Sequence, residues 1–204
     1  MKVFVKQKVL FSLQIIICGG ILSCSFFACV QKKSAKIPSE AIVDNQQMPD
    51  TNYLIGNTIY TMIAANSLQL FANFDYDAWG ELLSDDVEYF FPNGNDVTRT
   101  KLTGKTNVLE WWKNWRATSG ITSITITEEN DVPVVALKTP NYAGLTGNWV
   151  FSWFNNDMVI NGRNAGLRMN CTFHFNDENL IDRCYTYYDR TEIIQASEGK
   201  DILK

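Results

Sequence analysis

The chain has 204 residues, 46% of them hydrophobic and 20% charged, the balance of a folded protein of one domain and not of a disordered chain. Six of its eighteen basic residues lie before residue 50, so from Asp50 onward twelve basic residues face twenty acidic ones and the folded part carries −8. A surface of that sign excludes nucleic acid as a partner, because phosphate binding needs a basic face.

In chain order, the first feature is a leader. Lys2, Lys6 and Lys8 precede the apolar run Val9 to Leu22, which is short for a membrane span. Ile21-Leu22-Ser23-Cys24 and Phe26-Phe27-Ala28-Cys29 each resemble the lipobox of bacterial lipoproteins, in which an apolar pair and a small residue precede the acylated cysteine. Cys24 gives the more usual leader length, whereas Cys29 is followed at once by the polar Gln31-Lys32-Lys33-Ser34. The resemblance implies a signal peptide over 1–29, cleaved before Cys24 or Cys29, and a domain held at the bacterial cell envelope through its lipid anchor only. Residues 30–50, rich in Lys, Ser, Gln, Pro and Asp without an apolar period, read as a flexible tether. Residues 51–204 show no second linker and no repeat, and read as one domain.

Thr58 to Asn73 has helical spacing in Ile59, Met62, Ile63 and Leu70. Ala64, Leu68 and Phe71 make the other faces apolar too, the pattern of a helix buried all round. Asp75 can cap a second short helix in which Trp79, Leu82 and Leu83 share a face. Val87 to Pro92 reads as a strand, and Thr106 can start a third helix with Val108, Trp111, Trp112 and Trp115 on one side. Strands follow at Ile121 to Thr127, Val132 to Leu137 and Gly147 to Phe154, the last with Trp149, Phe151 and Trp153 on one face. Leu167 to Phe175 and Leu180 to Asp189 flank the hairpin turn Asn176-Asp177-Glu178-Asn179. Helices first and strands after give an α+β plan.

The run Phe74-Asp75-Tyr76-Asp77-Ala78-Trp79, continuing to Leu82-Leu83-Ser84-Asp85-Asp86-Val87, resembles the segment joining the first helices to the first strand in the SnoaL-like branch of the nuclear transport factor 2-like superfamily. The ending Ile181-Asp182-Arg183-Cys184-Tyr185-Thr186-Tyr187-Tyr188-Asp189 is similar to the last strand of those domains. The resemblance implies a cone-shaped fold, in which a curved antiparallel sheet wraps three N-terminal helices around an apolar pocket, and a homodimer paired through the outer sheet face. It does not imply a particular reaction, since this fold hosts isomerases, cyclases, hydrolases and binding domains. The position of the ketosteroid isomerase base is Phe91 here, that of the oxyanion-donating tyrosine is Ser67, and that of the acidic residue of the epoxide hydrolases is Thr186. None of the three can do the family's proton transfer.

The expected pocket lining is Tyr89, Phe91, Trp149, Phe151, Trp153, Thr186 and Tyr188, a set that equally fills a core. Asp182, Asp189 and His174 are the remaining candidates for catalysis. His174 shares a strand face with Arg168, Asn170 and Thr172, opposite Leu167, Met169, Cys171, Phe173 and Phe175, so it points away from an apolar pocket, toward solvent or a dimer partner. The paired Asp85 and Asp86 diverge on a strand or helix end and read as capping and solvated charges. One histidine and no clustered cysteines leave no zinc site, and no cofactor motif is present. If the hairpin is centred on Asp177 and Glu178, opposed residue numbers sum to 355 and Cys171 faces Cys184. That distance suits a disulfide, and two apolar thiols in a core would give the same sequence. Two functions follow from these residues. One is a module that binds a small apolar or aromatic molecule, or an envelope protein. The other is an isomerase, cyclase or hydrolase using a carboxylate at a non-standard position.

Overall fold

A computed structural model describes residues 52–95, 97–138 and 143–203. The leader, the tether and both candidate lipidation cysteines, Cys24 and Cys29, lie outside the described residues. The elements run β1 (Tyr53–Ile55), α1 (Ile59–Ala72), α2 (Tyr76–Gly80), β2 (Leu83–Phe90), β3 (Lys101–Thr103), α3 (Lys105–Thr118), β4 (Ile121–Ala136), β5 (Gly147–Ile160), β6 (Arg163–Phe175), β7 (Ile181–Tyr187) and α4 (Thr191–Ala196). The seven strands form one sheet in the order β1-β4-β5-β6-β7-β2-β3. All neighbours are antiparallel except β2 and β7, which are parallel. This is the α+β plan read from the sequence, a curved sheet with three helices ahead of its long strands.

Helix α1 buries Ala64, Ser67, Leu68 and Ala72, one stripe at i, i+3, i+4 and i+8. Ile59 and Met62 are 53% and 71% exposed, so the expectation of a helix buried on all sides is corrected: its N-terminal half covers the sheet with one face only. Asp75 does cap α2, its carboxylate accepting from the Ala78 N–H at 3.1 Å. Leu82 and Leu83 lie past the helix, and Leu83 opens β2. In α3, Val108, Trp112 and Trp115 turn inward together.

The two apolar runs expected as separate strands at 121–127 and 132–137 are one strand of 16 residues, β4. A register shift between Thr127 and Asn130, with Glu128 at φ 53°, lets the polar Glu-Glu-Asn-Asp stretch bend the strand without ending it. Strands β5 and β6 run longer than expected and meet at Asn161-Gly162, where Ile160 pairs with Arg163. Positive φ at both residues (50° and 77°) makes this the two-residue turn that matches strand twist.

The β6–β7 register corrects the cysteine pairing. From Asn170↔Tyr187 to His174↔Arg183 opposed numbers sum to 357, so Cys171 lies opposite Thr186 and Cys184 opposite Phe173. Two single-residue steps produce the difference. The loop between Asn176 and Leu180 holds three residues, with Asn179 left-handed at φ 62°, and a bulge between His174 and Phe175 adds another. Cys171 and Cys184 are diagonal neighbours on one face, buried and free, with no disulfide between them.

The helices cover one face of the sheet with the main core, which includes Leu83, Val87, Trp112, Phe154, Phe173 and Ile181. A second, smaller cluster of Ala136, Trp149 and Tyr185, with Phe90, Val134 and Phe151 against it, lies on the opposite face.

Candidate functional site

The family resemblance implies a pocket on the helix side of the sheet. Tyr89, Phe91 and Thr186 all point into it and are 8%, 1% and 0% exposed. Phe91 packs on Trp111 and Trp112 with ring centroids 4.9 Å and 5.8 Å away, and Trp112 meets Phe71 edge-on at 4.7 Å and Tyr89 at 5.4 Å. These rings fill the space. A cavity of about 30 Å³ is left, bordered by Ser67, Trp79, Tyr89, Asn156, Cys171 and Cys184. That is room for one water molecule. The Ser67 hydroxyl accepts from Trp79 Nε1 at 2.9 Å, and the Thr186 hydroxyl donates to the Phe90 carbonyl at 2.9 Å. Burial pushes the Tyr89 phenol and the Cys184 thiol well above their usual ranges, so neither ionises near neutrality. Tyr188 packs against the same core, its phenol also raised by burial.

A polar row that the sequence reading missed crosses this inner face. Asp131, Ser152, Cys171 and Thr186 are successive register partners across β4, β5, β6 and β7. Ser152 is fully buried. Its hydroxyl, one oxygen of Asp131 and one of Glu129 have no hydrogen-bond partner among the described residues. Burial, with Asp131 adding its charge and a hydrogen bond, raises Glu129 from 4.5 to about 7, while Gln69 of α1 pulls the other way. The available signal was an acidic run, Glu128 to Asp131, lying between two strand-like stretches.

The outer face carries the rest of the expected lining. Trp149, Phe151 and Trp153 do share one face of β5, but it is the face turned away from the helices. The sheet separates them from Tyr89, Phe91 and Thr186, and the single pocket expected from all seven residues is corrected to two sides. Alternation fails as a guide here because β5 is apolar on both sides: Val150, Phe154 and Met158 point inward while the tryptophans point outward. An aromatic cleft of about 290 Å³ lies on this outer face, walled by Tyr53, Trp149, Phe151, Tyr185 and Tyr187 above Asn170 and Thr172. The Thr172 hydroxyl donates to Asn170 Oδ1 at 3.0 Å, and Asn170 Nδ2 donates to the Ser152 carbonyl at 3.1 Å. Phe90 and Tyr185 stack at 4.3 Å with planes 9° apart. Beyond Tyr185 a second basin of about 460 Å³ is lined by Glu88, Phe90, Arg99, Lys101 and Arg183.

His174 lies on the outer face as its strand position implies, yet it is 6% exposed and does not reach solvent. Its Nδ1 is 2.5 Å from Asp182 Oδ1, its Nε2 is 2.8 Å from the Thr146 carbonyl, and Trp149 covers the ring at 4.6 Å. His174 and Asp182 are thus spent on each other and on fixing the start of β5. Asp189 is exposed and accepts from the Thr191 N–H and hydroxyl at 2.9 Å and 2.7 Å, bonds that lower its pKa. It caps the turn into α4. Asp85 pairs with Lys105 at 2.9 Å and Asp86 accepts from the Ser84 hydroxyl at 2.8 Å, both inside β2. Among the described residues no three His, Cys, Asp or Glu side chains gather as metal ligands.

Comparison with solved structures finds this fold in bacterial proteins of low sequence identity. A protein described as a polyketide cyclase from Silicibacter sp. TM1040 superposes with a TM-score of 0.53 at 17% identity, covering 70% of this chain and 97% of its own. Another so described, from Xanthomonas campestris pv. campestris, gives 0.52 at 18%, with 68% and 96% covered. A protein described as an isomerase from Bacillus subtilis gives 0.52 at 15%, with 70% and 98% covered. No protein-family model matches the sequence, and no curated protein matches it.

Proposed function

We propose that this chain, whose domain has the fold of the SnoaL-like polyketide cyclases, is a lipid-anchored envelope protein that binds a small aromatic or apolar molecule in the outer-face cleft. One observation carries this reading. The outer cleft is formed and open at about 290 Å³, close to the lower bound of small-molecule sites, while the inner cavity is about 30 Å³. Rigid rings on both sides of a planar ligand contribute large contact area with little ordering cost. Asn170 and Thr172 on the floor supply the few polar groups that fix orientation.

Titration of the domain with 2-naphthalenemethanol, followed by tryptophan fluorescence and calorimetry, tests the site. Saturable binding weakened about tenfold by Phe151→Ala is expected, since the change removes one wall of apolar contact. Binding that ignores Phe151→Ala would overturn the assignment. Mass spectrometry of material co-purifying with the full chain then identifies the natural ligand. For the anchor, fatty-acid labelling is expected in the wild type and lost in either Cys24→Ser or Cys29→Ser; an unlabelled wild type removes the lipoprotein reading. A sheet-to-sheet homodimer would cover the same cleft, so sedimentation should show dimers dissociating as ligand is added.

A second reading, an isomerase or cyclase, is favoured by the Glu129–Asp131 pair beside Ser152 and by the activities ascribed to the structural neighbours. It requires turnover that Glu129→Gln abolishes.

A further inference from the structure

We propose that the ligand of the outer cleft is an aromatic anion, whose ring lies against Tyr185 and Tyr187 and whose charged group is received by Arg99, Lys101 and Arg183. This rests on the reading that the cleft is the ligand site, and adds the chemical class of the ligand.

The folded part carries −8, yet the basin joined to the cleft at Tyr185 and Ala143 is lined by three cations and one carboxylate. Glu88 is shared, 2.5 Å from Lys101 Nζ and 3.1 Å from Arg183 Nε, and Arg183 Nη1 is 3.7 Å from Asp182. Arg183 has Asp182 as well, so Lys101, with only a share of Glu88, keeps attraction for a second anion. In a protein that repels anions overall, such a patch concentrates them at one place.

Arg99 gives the patch its geometry. Its Nε donates to the Phe91 carbonyl at 2.5 Å, its Nη2 to the Thr186 carbonyl at 3.0 Å and its Nη1 to the Tyr187 hydroxyl at 3.3 Å, so the guanidinium is held in place by the residue after β2 and by β7. It lies over the rings of Tyr187, Tyr185 and Phe90 at 4.7, 5.5 and 5.7 Å. Lys101 Nζ adds a second cation 5.6 Å over Phe90. A fixed planar cation therefore borders the same two tyrosines that wall the cleft. A ring seated on those tyrosines and bearing a carboxylate or sulfonate would lie within the field of that fixed charge, with the Lys101 ammonium as the movable donor beside it.

The test compares 2-naphthoate with its neutral isostere 2-naphthalenemethanol on the same domain. The naphthoate should bind about tenfold tighter, the difference a charge-assisted hydrogen bond supplies. That preference should shrink with added salt and fall close to one in the double variant Lys101→Met, Arg183→Met. Glu88→Gln, which raises the local charge, should strengthen naphthoate several-fold and leave the alcohol unchanged; this arm decides the matter if the double variant fails to fold. Equal affinity for the two probes in the wild type, or indifference of naphthoate to Glu88→Gln, would overturn the charge assignment while leaving the cleft. Binding of neither probe would overturn the cleft reading and this inference with it.

Discussion

Replacing Glu129 by glutamine should make the domain more stable at pH 8 and leave it unchanged at pH 4.5. In the folded protein the carboxyl is raised from 4.5 to about 7, by burial first and then by Asp131. A folded-state pKa above the unfolded one means that the native state holds the proton more tightly. The protonated form therefore stabilises the fold below about pH 4.5, and this contribution drains away as pH rises and is gone past about 7. At 1.36 kcal/mol per pH unit the rise corresponds to about 3 kcal/mol. The side chain is only partly buried, and solvent screening cuts that to about 1–2 kcal/mol. Glutamine imitates the protonated carboxyl, keeping a donor toward Asp131 and losing the charge. Urea denaturation of both proteins from pH 4.5 to 8.5 should give curves that coincide at the acid end and separate by that amount at the alkaline end, the variant being the more stable. Parallel curves across the range, or a variant weaker at pH 8, would refute the idea that burial and the neighbouring Asp131 raise Glu129.

Asp75→Ala removes the side-chain cap of α2 and should cost about 1 kcal/mol in the same urea assay. Cys171 and Cys184 should resist iodoacetamide in the native protein and take two labels in denaturant, because both are buried and burial raises the Cys184 thiol. Reducing agent should leave the Tm unmoved; a drop would mean that the two thiols are bonded.

The first three helices and the long strands were legible because their signals are local, whereas β1, β3 and α4, at three to six residues, are too short to show a period. Asp75 before a helical run and Trp112 one turn from Val108 and Trp115 each state their own geometry. The Asn161-Gly162 turn was equally legible, though the sequence reading stopped β5 at Phe154 and passed over it. The hairpin register was not, since it depends on a left-handed Asn179 and a bulge near Asp182, neither of which has a composition of its own. Those two steps add to an even shift, and side chains alternate with period two. Hence Cys171, Cys184 and His174 kept the faces assigned to them although every partner changed. The site was misread for a different reason. Pattern reasoning assumes one apolar face per strand, and β5 has two, so residues on opposite sides of a sheet were gathered into one pocket.

Whether a ligand can also enter the inner side depends on what it must displace. Trp112 is 3% exposed and held edge-on by Phe71, Trp111 and Trp115 at 4.7, 4.7 and 5.1 Å. Swinging it out would cost about 3 kcal/mol, which weakens the apparent Kd of any inner ligand by roughly two orders of magnitude. The outer cleft requires no such displacement of a core side chain. Trp112→Ala tests this directly. It should destabilise the domain by about 3–5 kcal/mol and leave a ring-sized void next to the existing cavity. Trp112 Nε1 is buried without a hydrogen-bond partner among the described residues, so the void is apolar and should take indole in its place. Indole at about 100 times its Kd should then restore some 2.7 kcal/mol. The rise in Tm should exceed any that indole produces in the wild type through the outer cleft. If indole raises both proteins equally, Trp112 is not what closes the inner pocket, and the preference for the outer face would lose its energetic basis.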